Sequence, residues 1–150
     1  MELKVIDTFN DLIETCKDGE YGFRASAEHA KSPALRTLFE RRALDCALAA
    51  EQLAQRVLAA GGRPETGGTA SGALHRGWIA VRGQLAGYSD LALLESCERG
   101  EDIALDSYRN ALAADLPAAD RELVAMQFEA VKRSHQQIRE LRNDERVRSL

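Results

Sequence analysis

The sequence predicts an all-α protein, a bundle of four long helices joined up-down-down-up through one long crossover. Three observations carry that expectation. Alanine and leucine are set among many Glu, Arg and Gln, aromatics make up only 5%, and few segments are β-branched enough for strands. Four long segments carry apolar residues at the helical period. Two of the three connections are short, whereas the third runs from about residue 61 to 89. An up-and-down bundle needs only about two to eight residues there. A crossover this long can return the chain along the whole bundle, about 40 Å for a helix of this length. The 150 residues are expected to form one domain, 1–150, with room for a hydrophobic core.

The first helix is expected from about Thr8 to Ala30, its inner face carrying Phe9, Leu12, Ile13, Cys16, Phe23 and Ala27. Glu20 falls on the same face, about 40° from Cys16 at 100° per residue. Ser32-Pro33 marks a start, with Ser as the cap and Pro in the first turn. The second helix then runs from Pro33 to about Ala60, with Leu35, Phe39, Arg42, Cys46, Leu53 and Val57 inward. Gly61-Gly62 supplies a left-handed stop. A short helix is expected within the crossover at Leu74 to Leu85. The third long helix follows the cap Ser89 and reaches about Ala114. Pro117 opens the fourth, which continues to about Arg142 with His135 at the margin of its inner face. The tail NDERVRSL is expected to fray.

The net charge of −4 disfavours a dedicated binder of nucleic acid or anionic membrane. MELKVIDTFN has no basic region followed by an apolar run, so it does not read as a signal peptide. No apolar stretch reaches the roughly 18 residues of a membrane span. Three cysteines without CxxC spacing point to free thiols in a reducing compartment, and hence to the cytoplasm. Cys16, Cys46 and Cys97 fall on inner faces, where a buried thiol behaves as a small hydrophobe. Basic residues in KRSHQQIRELRNDERVR alternate with acids, as on a solvated helix face. The glycine pairs 61–62 and 67–68 lack the strand and the GK[ST] of a phosphate loop.

One stretch stands apart. In CERGEDIALDSY, Leu94, Glu98, Glu101, Leu105, Tyr108 and Leu112 follow the rhythm of a buried stripe, yet two of them are glutamates. A carboxylate on a core face is costly unless a proton, a cation or a metal meets it. DLIETCKDGEYGF, ALHRGW and CERGEDIALDSY together resemble an uncharacterised bacterial family of ferritin-like four-helix bundles, across nearly the whole chain. The resemblance implies the ferritin-like fold and a stress-related or metal-related role; it supplies no activity.

Ferritin-like di-iron centres take one Glu from each of two helices and a Glu-x-x-His from each of the other two. Glu20 and either Glu98 or Glu101 suit the lone glutamates, and His135 suits one histidine. Lys132 stands three residues before His135, and the second helix has no histidine, so both Glu-x-x-His motifs are broken. Two readings follow. In one, Glu20, Glu98, Glu101 and His135, with Asp45 as a further donor, hold at most one Fe, Mn or Zn ion. In the other, which the lysine and the missing histidine favour, they form a metal-free polar network. There Arg42 would face the level of Glu20, and Lys132 or His135 would meet the third-helix glutamates. Trp78, the only tryptophan, is expected to pin the crossover to the bundle, or else to form a dimer contact. The functional expectation is a non-catalytic, stress-associated cytoplasmic bundle without cofactor, acting through protein contacts as a homo-oligomer, with a dimer favoured. The alternative is a metal-dependent oxidoreductase or metal-handling protein.

Overall fold

The computed structural model describes residues 3–67, 70–79 and 88–150. Five helices lie among them, and no strand: α1 (Leu3–His29), α2 (Pro33–Ala59), α3 (Ala70–His75), α4 (Asp90–Ala113) and α5 (Ala118–Arg148). Ser32 caps α2 by accepting from the Leu35 N–H at 3.3 Å, and Ser89 caps α4 through Ala92 at 3.1 Å. Gly61, at φ 78°, lets α2 stop, and the Gly62 N–H reaches back to the Val57 carbonyl at 2.9 Å.

Cross-helix contacts give the topology. Along α1, Cys16 meets Tyr108 and Ser26 meets Cys97, so α1 and α4 are antiparallel. Gly19 packs on Cys46 and Phe23 on Phe39, so α1 and α2 are antiparallel too. It follows that α2 and α4 are parallel. Their starts lie at the same end: the Asp90 carboxylate accepts from the Lys31 N–H at 2.7 Å and the Ser32 N–H at 3.0 Å. The expected up-down-down-up order is therefore the one observed.

The crossover climbs along α1. Asn10 holds it through the Arg63 carbonyl and the Glu65 N–H, at 3.1 and 2.8 Å. Higher up, Arg76 donates to Glu14 at 2.7 Å and to buried Asp18, whose carboxyl is raised to about 6 by burial. At the top the indole of Trp78 lies between α1 and α4. A Cβ added at Gly22 or at Gly100 would come within 2.1 Å of the ring. Phe23 meets it edge-on at 4.8 Å, and Trp78 is buried. Trp78 thus pins the crossover.

Three expectations need correction. The crossover helix covers Ala70–His75 rather than Leu74–Leu85, because Gly77 turns the chain at φ 98°; residues 80–85 of the expected span lie outside the described residues. Helix α1 begins at Leu3, five residues before Thr8, because Val5 continues the buried face. Helix α5 continues through the expected fraying tail to Arg148, held by Arg146–Glu95 at 2.9 Å and Arg148–Glu145 at 3.0 Å. No helix among the described residues is long and apolar enough to cross a membrane.

Apolar packing falls into two clusters. Phe23, Phe39, Trp78, Leu93, Leu94 and Ile138 build one, and Phe9, Ile13, Leu53, Val57, Tyr108 and Val124 the other. Near the junction of the clusters every long helix places small or polar residues inward: Gly19 on α1, Arg42 and Cys46 on α2, Glu98 and Glu101 on α4, Ser134 and His135 on α5. The bundle centre is a polar layer.

Candidate functional site

The helical period of α4 carries both glutamates inward, and each is buried. Glu101 is 2% exposed. Its Oε2 accepts from the Ser134 hydroxyl at 2.6 Å and lies 3.6 Å from Arg42 Nη2, while its Oε1 has no hydrogen-bond partner. Burial pushes its carboxyl up to about 7, outweighing the guanidinium that lowers it. Arg42 is itself buried; it pairs with Asp45 at 2.7 Å and stands over the Phe23 ring at 5.5 Å, with Nε unpartnered. Glu98, one turn up, is held by Arg142 and by Arg139 Nε at 3.2 Å.

The partners differ from those read in the sequence. Arg42 stands near the level of Glu20 but pairs with Glu101 and Asp45 instead. Glu20 is only partly buried and pairs with Arg24 at 2.8 Å, one turn along α1. It does not join Glu98 and Glu101, because Gly19, Gly22 and Phe23 occupy the inner face at that height. His135 is buried but turns to Asp102, its Nε2 at 2.5 Å from the carboxylate. Lys132 points to Glu129 at 2.8 Å and over the Phe128 ring. Of the four candidate ligands, Glu98, Glu101 and His135 lie in the polar layer, but His135 turns to Asp102 and arginines face both glutamates.

Tyr108, Cys16 and Gln127 extend the network. The Tyr108 hydroxyl lies 3.3 Å from Cys16 Sγ and donates to Gln127 Oε1 at 2.8 Å. Gln127 in turn donates to Gln52 at 2.9 Å and to the Ala49 carbonyl at 3.2 Å. Burial raises the Cys16 thiol to about 11 and pushes Cys46 and Cys97 upward as well. All three are therefore neutral thiols at pH 7 and poor nucleophiles. These groups surround a cavity of about 290 Å³ lined by Phe23, Trp78, Ala104, Ala130 and Val131 together with Arg42, Glu101 and Tyr108.

A di-iron centre needs clustered carboxylates and imidazoles facing one another without a competing cation. Among the described residues no three or more His, Cys, Asp or Glu side chains are grouped so that they could hold a metal. Arg42 stands against Glu101 where a cation would have to lie. The residues present do not fit such a centre.

The fold is that of a ferritin-like four-helix bundle. The chain superposes with TM-score 0.78 on a dodecameric thioferritin, the bacterioferritin-related protein from Bacteroides fragilis, at 14% identity over 99% of this chain and 91% of that one. It superposes with TM-score 0.76 on Dps from Staphylococcus aureus, at 18% identity over 93% and 95% of the two chains. At such identities the likeness is one of fold. Residues 4–114 match the family described as a domain of unknown function, DUF2383, and the chain belongs to that family. No curated protein matches it.

The sequence alone did not expose Gly22 and Gly100 as the seat of Trp78. The signal was present, however: mid-helix glycines in two motifs, Gly19 and Gly22 in one and Gly100 in the other, and a single tryptophan in the third.

Proposed function

We propose that this protein is a non-catalytic ferritin-like bundle, working through protein contacts as a cytoplasmic homo-oligomer, in which an ion-pair network takes the di-iron position. The observation that carries the reading is the Arg42–Glu101 pair at the centre, with Glu98 matched by Arg139 and Arg142. A guanidinium there repels a divalent cation and supplies no redox chemistry. Leu44 and Leu58, each more than half exposed, offer apolar surface on α2 for self-association. The dodecameric assembly of the Bacteroides fragilis thioferritin lends support to an oligomer. Three free cysteines agree with a reducing compartment.

The test follows aerobic oxidation of added Fe(II) and, in parallel, sedimentation of the protein. The reading expects oxidation at the rate of buffer alone, and a defined oligomer that Leu44→Lys dissociates. Catalysed oxidation lost in Glu101→Gln would instead make the protein a metal-dependent oxidoreductase.

A further inference from the structure

The 290 Å³ cavity is larger than the central network requires. An engineered cavity of about 150 Å³ already admits benzene, so this one has room for a bicyclic molecule. Its walls are mainly apolar, from Phe23, Trp78, Ala104, Ala130 and Val131. Leu48 and Met126 also line it and are 54% and 58% exposed, which places its mouth at the seam between α2 and α5.

Two buried polar atoms of residues that line this cavity lack hydrogen-bond partners: Glu101 Oε1 and Arg42 Nε. Both residues are more than nine-tenths buried, and both line the space. A buried polar group left unpaired is costly, so this pair calls for a molecule to meet it. The other polar side chains are engaged, Tyr108 with Gln127, and Gln127 with Gln52 and the Ala49 carbonyl. Charge narrows the class. Asp45 and Glu101 already face Arg42, so an added anion would meet two carboxyl groups and an added cation would meet the guanidinium.

We infer that the cavity binds a small, uncharged, largely apolar molecule, up to bicyclic size, whose single hydroxyl or primary amide pairs with Glu101 and Arg42. The head group donates to Glu101 Oε1 and accepts from Arg42 Nε, and the apolar body lies against Phe23 and Trp78. This goes beyond the function proposed above. Its readouts, heat and chemical shift with an organic probe, do not depend on iron or on assembly, so either reading can fail without the other.

The test titrates the full chain with 2-naphthol, 2-naphthamide and indole by calorimetry. Chemical shifts are followed at the Trp78 indole N–H and the Gly100 amide. At least one probe should bind once per chain and move both signals. Naphthalene, without a head group, and 2-naphthoate, an anion, should bind at least tenfold more weakly. Ala130→Phe, which fills the cavity, should weaken the best probe at least tenfold; Ala104→Leu serves the same end if that variant does not fold. Absence of binding by all three probes, shifts confined to the surface, or equal affinity for naphthalene or 2-naphthoate would each overturn the inference. So would undiminished binding in the folded cavity-filled variant.

Discussion

Arg42 Nη2 lies 3.6 Å from Glu101 Oε2, with at most a tenth of either side chain exposed. This pair accounts for a glutamate in the buried stripe of α4. A lone carboxylate at that depth would be expelled or neutralised. Here a guanidinium from α2 and a hydroxyl from α5 meet it, and burial holds its proton to near neutrality.

Removal of the cation should therefore be felt, and felt unequally with pH. Arg42→Met leaves Glu101 without a counter-charge. It should cost about 3–5 kcal/mol where Glu101 is ionised, the usual loss when one partner of a buried pair is removed. At pH 5 the carboxyl takes a proton and the loss should shrink. Urea denaturation at pH 5 and pH 8 compares the two. Equal losses would mean that Arg42 contributes packing alone.

Glu101 itself should tilt the pH profile of stability. Its carboxyl rises from 4.5 to about 7 on folding, so between those values the folded chain holds a proton that the unfolded chain has released. Stability from this group is complete below about pH 4.5 and is lost as pH rises toward 7. The groups facing it are Arg42 from α2 and Ser134 from α5, with Asp102 beside it on α4. Relative to Glu101→Gln, the natural chain should lose about 3 kcal/mol across that window. Parallel profiles for the two proteins would show that the carboxyl does not titrate there.

The fold should be sensitive to the seat of the Trp78 indole as well as to its loss. Trp78→Ala should destabilise by about 3–5 kcal/mol, as for a buried large aromatic. Gly100→Ala should also destabilise, by about 1–3 kcal/mol, although alanine is the better helix former. The added methyl meets the ring within 2.1 Å. Thermal melting gives the loss, and a red shift of tryptophan emission reports displacement of the ring. A stabilised Gly100→Ala with unchanged emission would place the indole elsewhere.

Asp90 ties the α1–α2 turn to the start of α4 by accepting two backbone N–H groups. Asp90→Ala should cost about 1 kcal/mol, with faster amide exchange at Lys31 and Ser32. Unchanged exchange at both would mean that the contact is absent in solution.

Much of this was legible in the sequence. The stripe through Leu94, Glu98, Glu101, Leu105 and Tyr108 is a property of one helix, and the crossover's length bore on topology. Pairing between helices was not legible, because the angular period ranks faces without saying which arginine crosses the core. Glu20 shows the limit: at about 40° from Cys16 it sat within the face, yet Gly19, Gly22 and Phe23 fill the inner side at that height and Glu20 pairs with Arg24 on the flank. The crossover helix was misplaced for a local reason, the left-handed turn at Gly77.

The central claim is that an arginine–glutamate network, and not a metal, completes the middle of this bundle. Its most direct test is elemental analysis of the protein after incubation with Fe(II), Mn(II) and Zn(II) in turn, followed by desalting. The network predicts well under one metal per chain for each ion, unchanged in Glu101→Gln. Two irons per chain, lost in Glu101→Gln, would contradict it.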